Sequence, residues 1–220
     1  MRRVSVADEV FEALARAILD GRFEAGSKLP SERTLAEELE ASRVLVRQAI
    51  HRLGDLGLLR IRQGAATTVR ALADVDDVRV LELLYRLGDP SEMNPYVIER
   101  QYMNGLSLLE LASIRGTDEA RQEILRITTE EAPVEGDDFL PFEQTFWLAV
   151  ADASQNPIFR MELSWWYRTI GSSLPRPAIV AQTSIALRVA FHRELARRLV
   201  AREDAVAHYR AIVCPMLEGS

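Results

Sequence analysis

Arg43 and Arg47 stand in the run Ser42-Arg43-Val44-Leu45-Val46-Arg47-Gln48, and a third arginine, Arg33, precedes them in Pro30-Ser31-Glu32-Arg33. A guanidinium can bridge O6 and N7 of a guanine with two hydrogen bonds, worth about 1 to 3 kcal/mol of discrimination against another base. The chemistry on offer is therefore the reading of base edges. Ser42 can cap a helix that starts at Arg43, and the free N–H groups there can hold a phosphate. Val44 and Leu45 offer only apolar contact, either to a thymine methyl or to the protein's own interior, and their helical positions leave both open. Gln63 and Gly64 sit where a hairpin tip would approach the same duplex, His51 is a lesser candidate, and Lys28 and Arg60 can meet phosphate or only water.

Taken singly, each of these residues has a plainer reading. An arginine on a short surface helix is usually a solvated charge, and Glu37, four residues after Arg33, is an easy partner for it. The weight comes from the elements that place the residues together. Ser31 can N-cap a helix carrying Leu35 and Leu39 on one face, with Glu32 in its first turn. After Ser42, Val46, Ile50 and Leu53 recur at spacings of four and three, which leaves Arg43, Leu45, Arg47 and Gln48 on other faces. Gly54 and Gly57 then break the helical pattern. The runs 58–62 and 66–70 flank Gln63-Gly64-Ala65 as a hairpin. An earlier helix over 5–20, with Val6, Val10, Leu14, Ala17 and Ile18 as its buried stripe and Gly21 at its stop, completes a winged helix-turn-helix of three helices and a β-hairpin over residues 1–72.

The stretch LPSERTLAEELEASRVLVRQAIHRLGDLGLL resembles the N-terminal domain of GntR-family bacterial transcription regulators, through its Pro-Ser-Glu-Arg helix start, Ser-Arg-x-x-Val-Arg and a Leu-x-x-x-Gly-Leu tail. The resemblance covers roughly the first 70 residues. It implies double-stranded DNA as partner, with Arg33, Ser42, Arg43, Val44, Leu45, Arg47, Gln63 and Gly64 at the contact. The departure within it is Val44-Leu45, where many members carry polar residues such as Thr, so the operator is expected to differ.

Residues 73–77 read as a linker, and from 78 the pattern changes to long helical segments without strands. They run over 78–87, 95–114, 118–131, 141–153, 157–174, 178–200 and 203–217, punctuated by Gly88-Asp89-Pro90, Gly116, 133–138 and 175–177. An all-α bundle of about seven helices over 78–220 is expected, which makes the whole chain mostly α. FEQTFWLAVADASQNPIF, with FHRELARRLVAREDAVAHYRAIV later, is similar to the ligand-binding domain of the FadR subfamily. That likeness implies a homodimer and a small-molecule effector, either an organic acid or an acyl thioester. Arg100 matches an arginine that subfamily members direct to an anionic effector; its other partner would be Glu143. Trp147, His192 and Tyr167 join Arg100 and Glu143 as the effector-site candidates.

Many members of the subfamily hold a divalent metal through one Asp and three His. The matching positions here are Glu143, Trp147, His192 and Cys214, and indole cannot ligate a metal. Glu143, His192 and Cys214 are competent ligands, yet no metal and no other cofactor is expected. Trp147 reads as filling the space of a metal and its histidine, His192 as a hydrogen-bonded histidine lining a core or cavity, and Cys214 as a small buried side chain. Cys214-Pro215-Met216-Leu217 lacks the small and polar residues that would hold a CoA moiety.

Composition agrees with this division. The chain has 220 residues, 48% apolar, with a net charge of −6. Residues 1–72 carry 12 Lys and Arg against 10 Asp and Glu, leaving 15 against 23 for the remainder, so the acidity lies outside the winged segment. One cysteine excludes an internal disulfide. No apolar run reaches about 18 residues, and the acidic Asp8, Glu9 and Glu12 speak against a signal peptide, so no membrane and a cytoplasmic location are expected. No nucleophile elbow, P-loop, CxxC pair or HExxH appears, which argues against an enzyme. A metal-dependent acid sensor and an effector-independent regulator with a structural bundle are the alternatives.

Overall fold

The computed structural model of the chain describes residues 5–62, 64–136, 138–171 and 183–218. The chain divides into two compact units, Met1–Glu92 and Met93–Ser220.

In the first unit, α1 (Val6–Leu19), α2 (Glu32–Glu38) and α3 (Arg43–Asp55) are each opened by a serine. Ser5, Ser31 and Ser42 accept from the backbone N–H groups of Asp8, Thr34 and Leu45. The wing is a two-stranded antiparallel hairpin, β1 (Leu59–Arg60) and β2 (Thr68–Val69), with Leu59 opposite Val69 and Arg60 opposite Thr68. Its strands are shorter than the sequence pattern suggests, and Lys28 adds a single bridge to Thr68. Gly54 lies inside α3 and does not break it. Gly57, at φ +78°, does.

One core unites these elements: Val10, Phe11, Leu14 and Ile18 from α1, Leu35 from α2, Val46, Ile50 and Leu53 from α3, and Leu58 and Val69 from the hairpin. Of the expected α1 stripe, Val6, the first residue of the helix, is 60% exposed and Ala17 is half-buried, and Phe11 and Ala15 are buried instead. The unit also takes in α4 (Arg79–Leu87), whose Val80, Leu83 and Leu87 enter the same core. Arg16 donates to the Leu87 carbonyl at 2.8 Å, and Arg86 pairs with Glu12 at 3.0 Å. The segment placed at the head of the second domain by its helical pattern thus packs with the first, because its apolar face matches α1. The expected 73–77 linker contains a short 3-10 turn, Leu72–Asp74, held by Arg70, which donates to the carbonyls of Gly57 and Asp74.

The second unit is all helical among the described residues. It comprises most of α5 (Pro90–Arg115), then α6 (Asp118–Glu130), α7 (Leu140–Ala153), α8 (Pro157–Trp166) with a π-helical turn (Tyr167–Gly171), α9 (Ile185–Ala201) and α10 (Ala205–Glu218). α5 begins five residues before Pro95, the expected start, and carries that proline within its first turns. Leu108, Leu109 and Ala112 of α5, Ile124 and Ile127 of α6, Phe142, Phe146 and Val150 of α7, and Leu195 and Leu199 of α9 form its core. The Ala-Ser-Gln-Asn-Pro turn between α7 and α8 is a capping device. Ser154 donates to the Ala151 carbonyl, Gln155 takes φ +53°, and Asn156 caps Ile158.

Candidate nucleic-acid interface and helical interior

Burial of Val46, Ile50 and Leu53 against α1 turns the opposite side of α3 to solvent. Arg43, Val44, Arg47, Gln48 and His51 are all exposed there. Val44 and Leu45, indistinguishable by helical position, part company. Val44 is 64% exposed, whereas Leu45 packs on the edge of the core. Ser42 satisfies the N–H of Leu45 at 3.3 Å and its carbonyl takes the N–H of Val46, so the N–H groups of Arg43 and Val44 remain for an outside acceptor. Gly64, at φ +76° and with no described atom within 4 Å of where a Cβ would stand, turns the wing tip. Gln63 lies outside the described residues.

Carboxylates accompany two of the three arginines. Arg33 donates to Glu37 at 2.9 Å. Arg47 meets Glu32, on the first turn of α2, side-on: Nε lies 2.8 and 3.1 Å from the two carboxylate oxygens, and Nη2 lies 2.6 Å from one. That hydrogen bonding holds the Glu32 carboxyl below the usual range, with Arg43 and His51 adding to the effect, and raises the Arg47 guanidinium. Arg43 makes no hydrogen bond or ion pair with a carboxylate among the described residues and acts on Glu32 only through its charge.

In the second unit, His192 stands inside a cage of Phe139, Phe142, Phe146, Phe191 and Trp147, with ring centroids 4.7 to 6.3 Å away. Its Nδ1 lies 2.7 Å from the Arg188 carbonyl oxygen, and its buried Nε2 has no hydrogen-bond partner. Desolvation lowers its pKa to about 4, so the ring is neutral at physiological pH. Nδ1 must be the donor, and Nε2 presents a lone pair. Arg188, on the same face of α9, lies over the Phe139 ring at 3.5 Å and 3.9 Å from Glu143. Burial, followed by the Glu143 charge, pushes the phenols of Tyr167 and Tyr209 up. Arg100 lies over Trp166 at 5.2 Å.

Residues 6–69 match the model of the "Bacterial regulatory proteins, gntR family". The HTH-type transcriptional regulator Mce2R of Mycobacterium tuberculosis is 40% identical over 60% of this chain and 58% of its own length. A fatty acid metabolism regulator protein of Cronobacter sakazakii is 30% identical over 70% of this chain and 64% of its own. A putative L-lactate dehydrogenase operon regulatory protein of Escherichia coli is 30% identical over 79% of this chain and 67% of its own. The chain belongs to the gntR family of bacterial regulatory proteins. It spans little more than half the length of the first of these relatives.

Within this gntR-family chain the candidate residues sort into two groups. Arg33, Ser42, Arg43, Val44, Arg47 and Gly64 lie in the winged unit, with Arg43, Val44 and Arg47 on one exposed face of α3, while Leu45 belongs to the core edge. In the helical unit, Glu143, Trp147, Tyr167 and His192 lie on helices that share one interior. Arg100 and Glu143 do not pair among the described residues; the cation near Glu143 is Arg188, which sequence reasoning missed. Its signal was position, one turn before His192 on the same face. Among the described residues no group of three His, Cys, Asp or Glu side chains comes together, Glu143 lies toward Arg188, and Cys214 is a partly buried side chain packed on the core. No described helix is long and apolar enough to cross a membrane.

Proposed function

We propose that this gntR-family regulator binds double-stranded DNA sequence-specifically as a cytoplasmic homodimer, on an inverted repeat whose half-sites match the dimer symmetry. The observation that carries this reading is the sorting of α3, with Val46, Ile50 and Leu53 buried and Arg43, Val44 and Arg47 turned outward from a serine-capped start. Arg43 and Arg47 read base edges, Val44 touches a thymine methyl, and Gly64 with Gln63 brings the wing to the backbone. Selection of duplexes from a random pool, followed by binding measurements, tests it. Arg43→Ala and Arg47→Ala should each weaken binding to the selected duplex at moderate salt, and unchanged binding by both would refute the assignment. Light scattering should give the dimer mass.

The helical unit is proposed to couple a small-molecule effector to DNA affinity, which requires the effector to bind the two states unequally. Support comes from the lone pair of the buried His192 Nε2, which calls for a ligand hydroxyl or other donor; Arg100, which lies over Trp166 in the same unit, is a cation that suits a carboxylate. The relatives named for L-lactate and fatty acid metabolism make hydroxy acids and acyl thioesters the first compounds to screen. A thermal shift seen with wild type and absent in His192→Phe supports the site; no shift with any compound favours a structural bundle. No metal or other cofactor is part of this reading, and elemental analysis of purified protein checks that.

A further inference from the structure

Arg47 is already half-used before any DNA arrives. Its Nε and one hydrogen of Nη2 are spent on Glu32. The guanidinium keeps both hydrogens of Nη1 and the second of Nη2, which form the end-on edge that a guanine O6/N7 pair requires. Arg43 makes no such bridge among the described residues. We infer that Glu32 is a specificity-determining positioning residue: it holds the Arg47 guanidinium edge-outward and cancels its charge, so that Arg47 contributes discrimination between bases and little general attraction to DNA. The inference rests on the proposed role of Arg47 at the duplex.

Two physical effects support this. A long arginine loses most of its rotamer freedom on docking, and a side-on carboxylate bridge from a separate helix removes part of that loss in advance. A carboxylate among phosphates also repels the duplex, and this penalty is felt at every sequence, whereas the end-on hydrogen bonds are regained only at the right base. Specificity is the difference between the two. Glu32 sits at the first position of α2, whose cap is made by Ser31 and not by Glu32, so the carboxylate is not committed to holding its own helix start.

The test uses the full chain, with wild type, Glu32→Gln, Glu32→Asp, Arg47→Ala and the Glu32→Gln/Arg47→Ala double variant. Each is put through selection from random duplexes. Affinities are then measured at one salt concentration for the wild-type selected duplex, for that duplex changed at the base pair whose preference Arg47→Ala loses, and for mixed-sequence DNA. Glu32→Gln is expected to lose preference at that same base pair, with discrimination falling about tenfold, while its affinity for mixed-sequence DNA rises and its melting temperature stays at the wild-type value. Glu32→Asp, which keeps the charge on a shorter arm, should lose discrimination without the rise. The double variant should discriminate no worse than Arg47→Ala alone. Wild-type discrimination in Glu32→Gln, or an equal further loss in the Arg47→Ala background, would overturn the inference. Failure of the underlying reading shows separately, as wild-type selection by Arg47→Ala itself.

Discussion

His192 Nδ1 lies 2.7 Å from the carbonyl oxygen of Arg188, one turn earlier on α9, and this contact fixes which ring nitrogen carries the proton. The ring's folded pKa, about 4, lies below its ordinary 6.5 because burial penalises the charged form. Between these values the unfolded chain binds a proton that the folded chain does not, so stability falls as pH drops through 6.5 toward 4. The expected loss between pH 7.5 and pH 5 is about 2 kcal/mol from this group. His208, also lowered by burial, acts in the same direction. Urea unfolding of His192→Phe should show a pH dependence smaller by that amount, since His208 is common to both proteins. An identical pH dependence in the two would exclude His192 as the source.

Arg121 is 3% exposed and pairs with no carboxylate among the described residues; it donates to the carbonyls of Leu199, near the end of α9, and Ser113, near the end of α5. The two helix C-termini supply the negative potential that an ion pair would otherwise provide. Arg121→Ala should destabilise the helical unit by about 2 to 4 kcal/mol, through lost charge-assisted bonds and a cavity. Denaturant midpoints measured with an unchanged slope would check it.

Gly105 faces Tyr209, and a Cβ there would lie 2.3 Å from the phenol oxygen and 2.4 Å from the ring carbon bearing it. The ring is buried, stacks on Tyr102 at 5.9 Å and meets Trp147 edge-on at 5.7 Å, which resists its displacement. Gly105→Ala, which raises helix propensity by about 1 kcal/mol, should nevertheless destabilise by about 1 to 3 kcal/mol. Tyr209→Leu in the same chain should recover part of that loss in a melting experiment.

Glu40 takes φ +48° in the turn between α2 and α3. A left-handed conformation costs a residue with a Cβ about 1 kcal/mol. Glu40→Gly should therefore raise the melting temperature of the winged unit slightly while leaving duplex selection unchanged. A fall in melting temperature would show that the side chain contributes more than the strain removes.

The three helices and hairpin of the winged unit were legible because they carry local chemistry: a serine before each of α1, α2 and α3, apolar residues at spacings of three and four, and glycines after α1 and α3. Long-range pairings were not. That Glu32 meets Arg47, and that Val44 faces out while Leu45 packs inward, depends on how α2 lies against α3, which no single helix encodes. The same limit hid Arg188, whose sequence neighbours mark only a helix face and not the Phe139 ring or Glu143 it meets. Helical periodicity also placed α4 correctly as a helix but could not say which core would receive it.

The burial of Val80, Leu83 and Leu87 beneath α1 has a practical consequence for dissecting the molecule. A fragment cut near residue 72 would strip the underside of α1 and leave three large apolar contacts to water, so it should aggregate or melt early. Chimeras that graft this winged unit onto another helical domain should be joined at Gly88-Asp89, keeping α4 with the unit it completes.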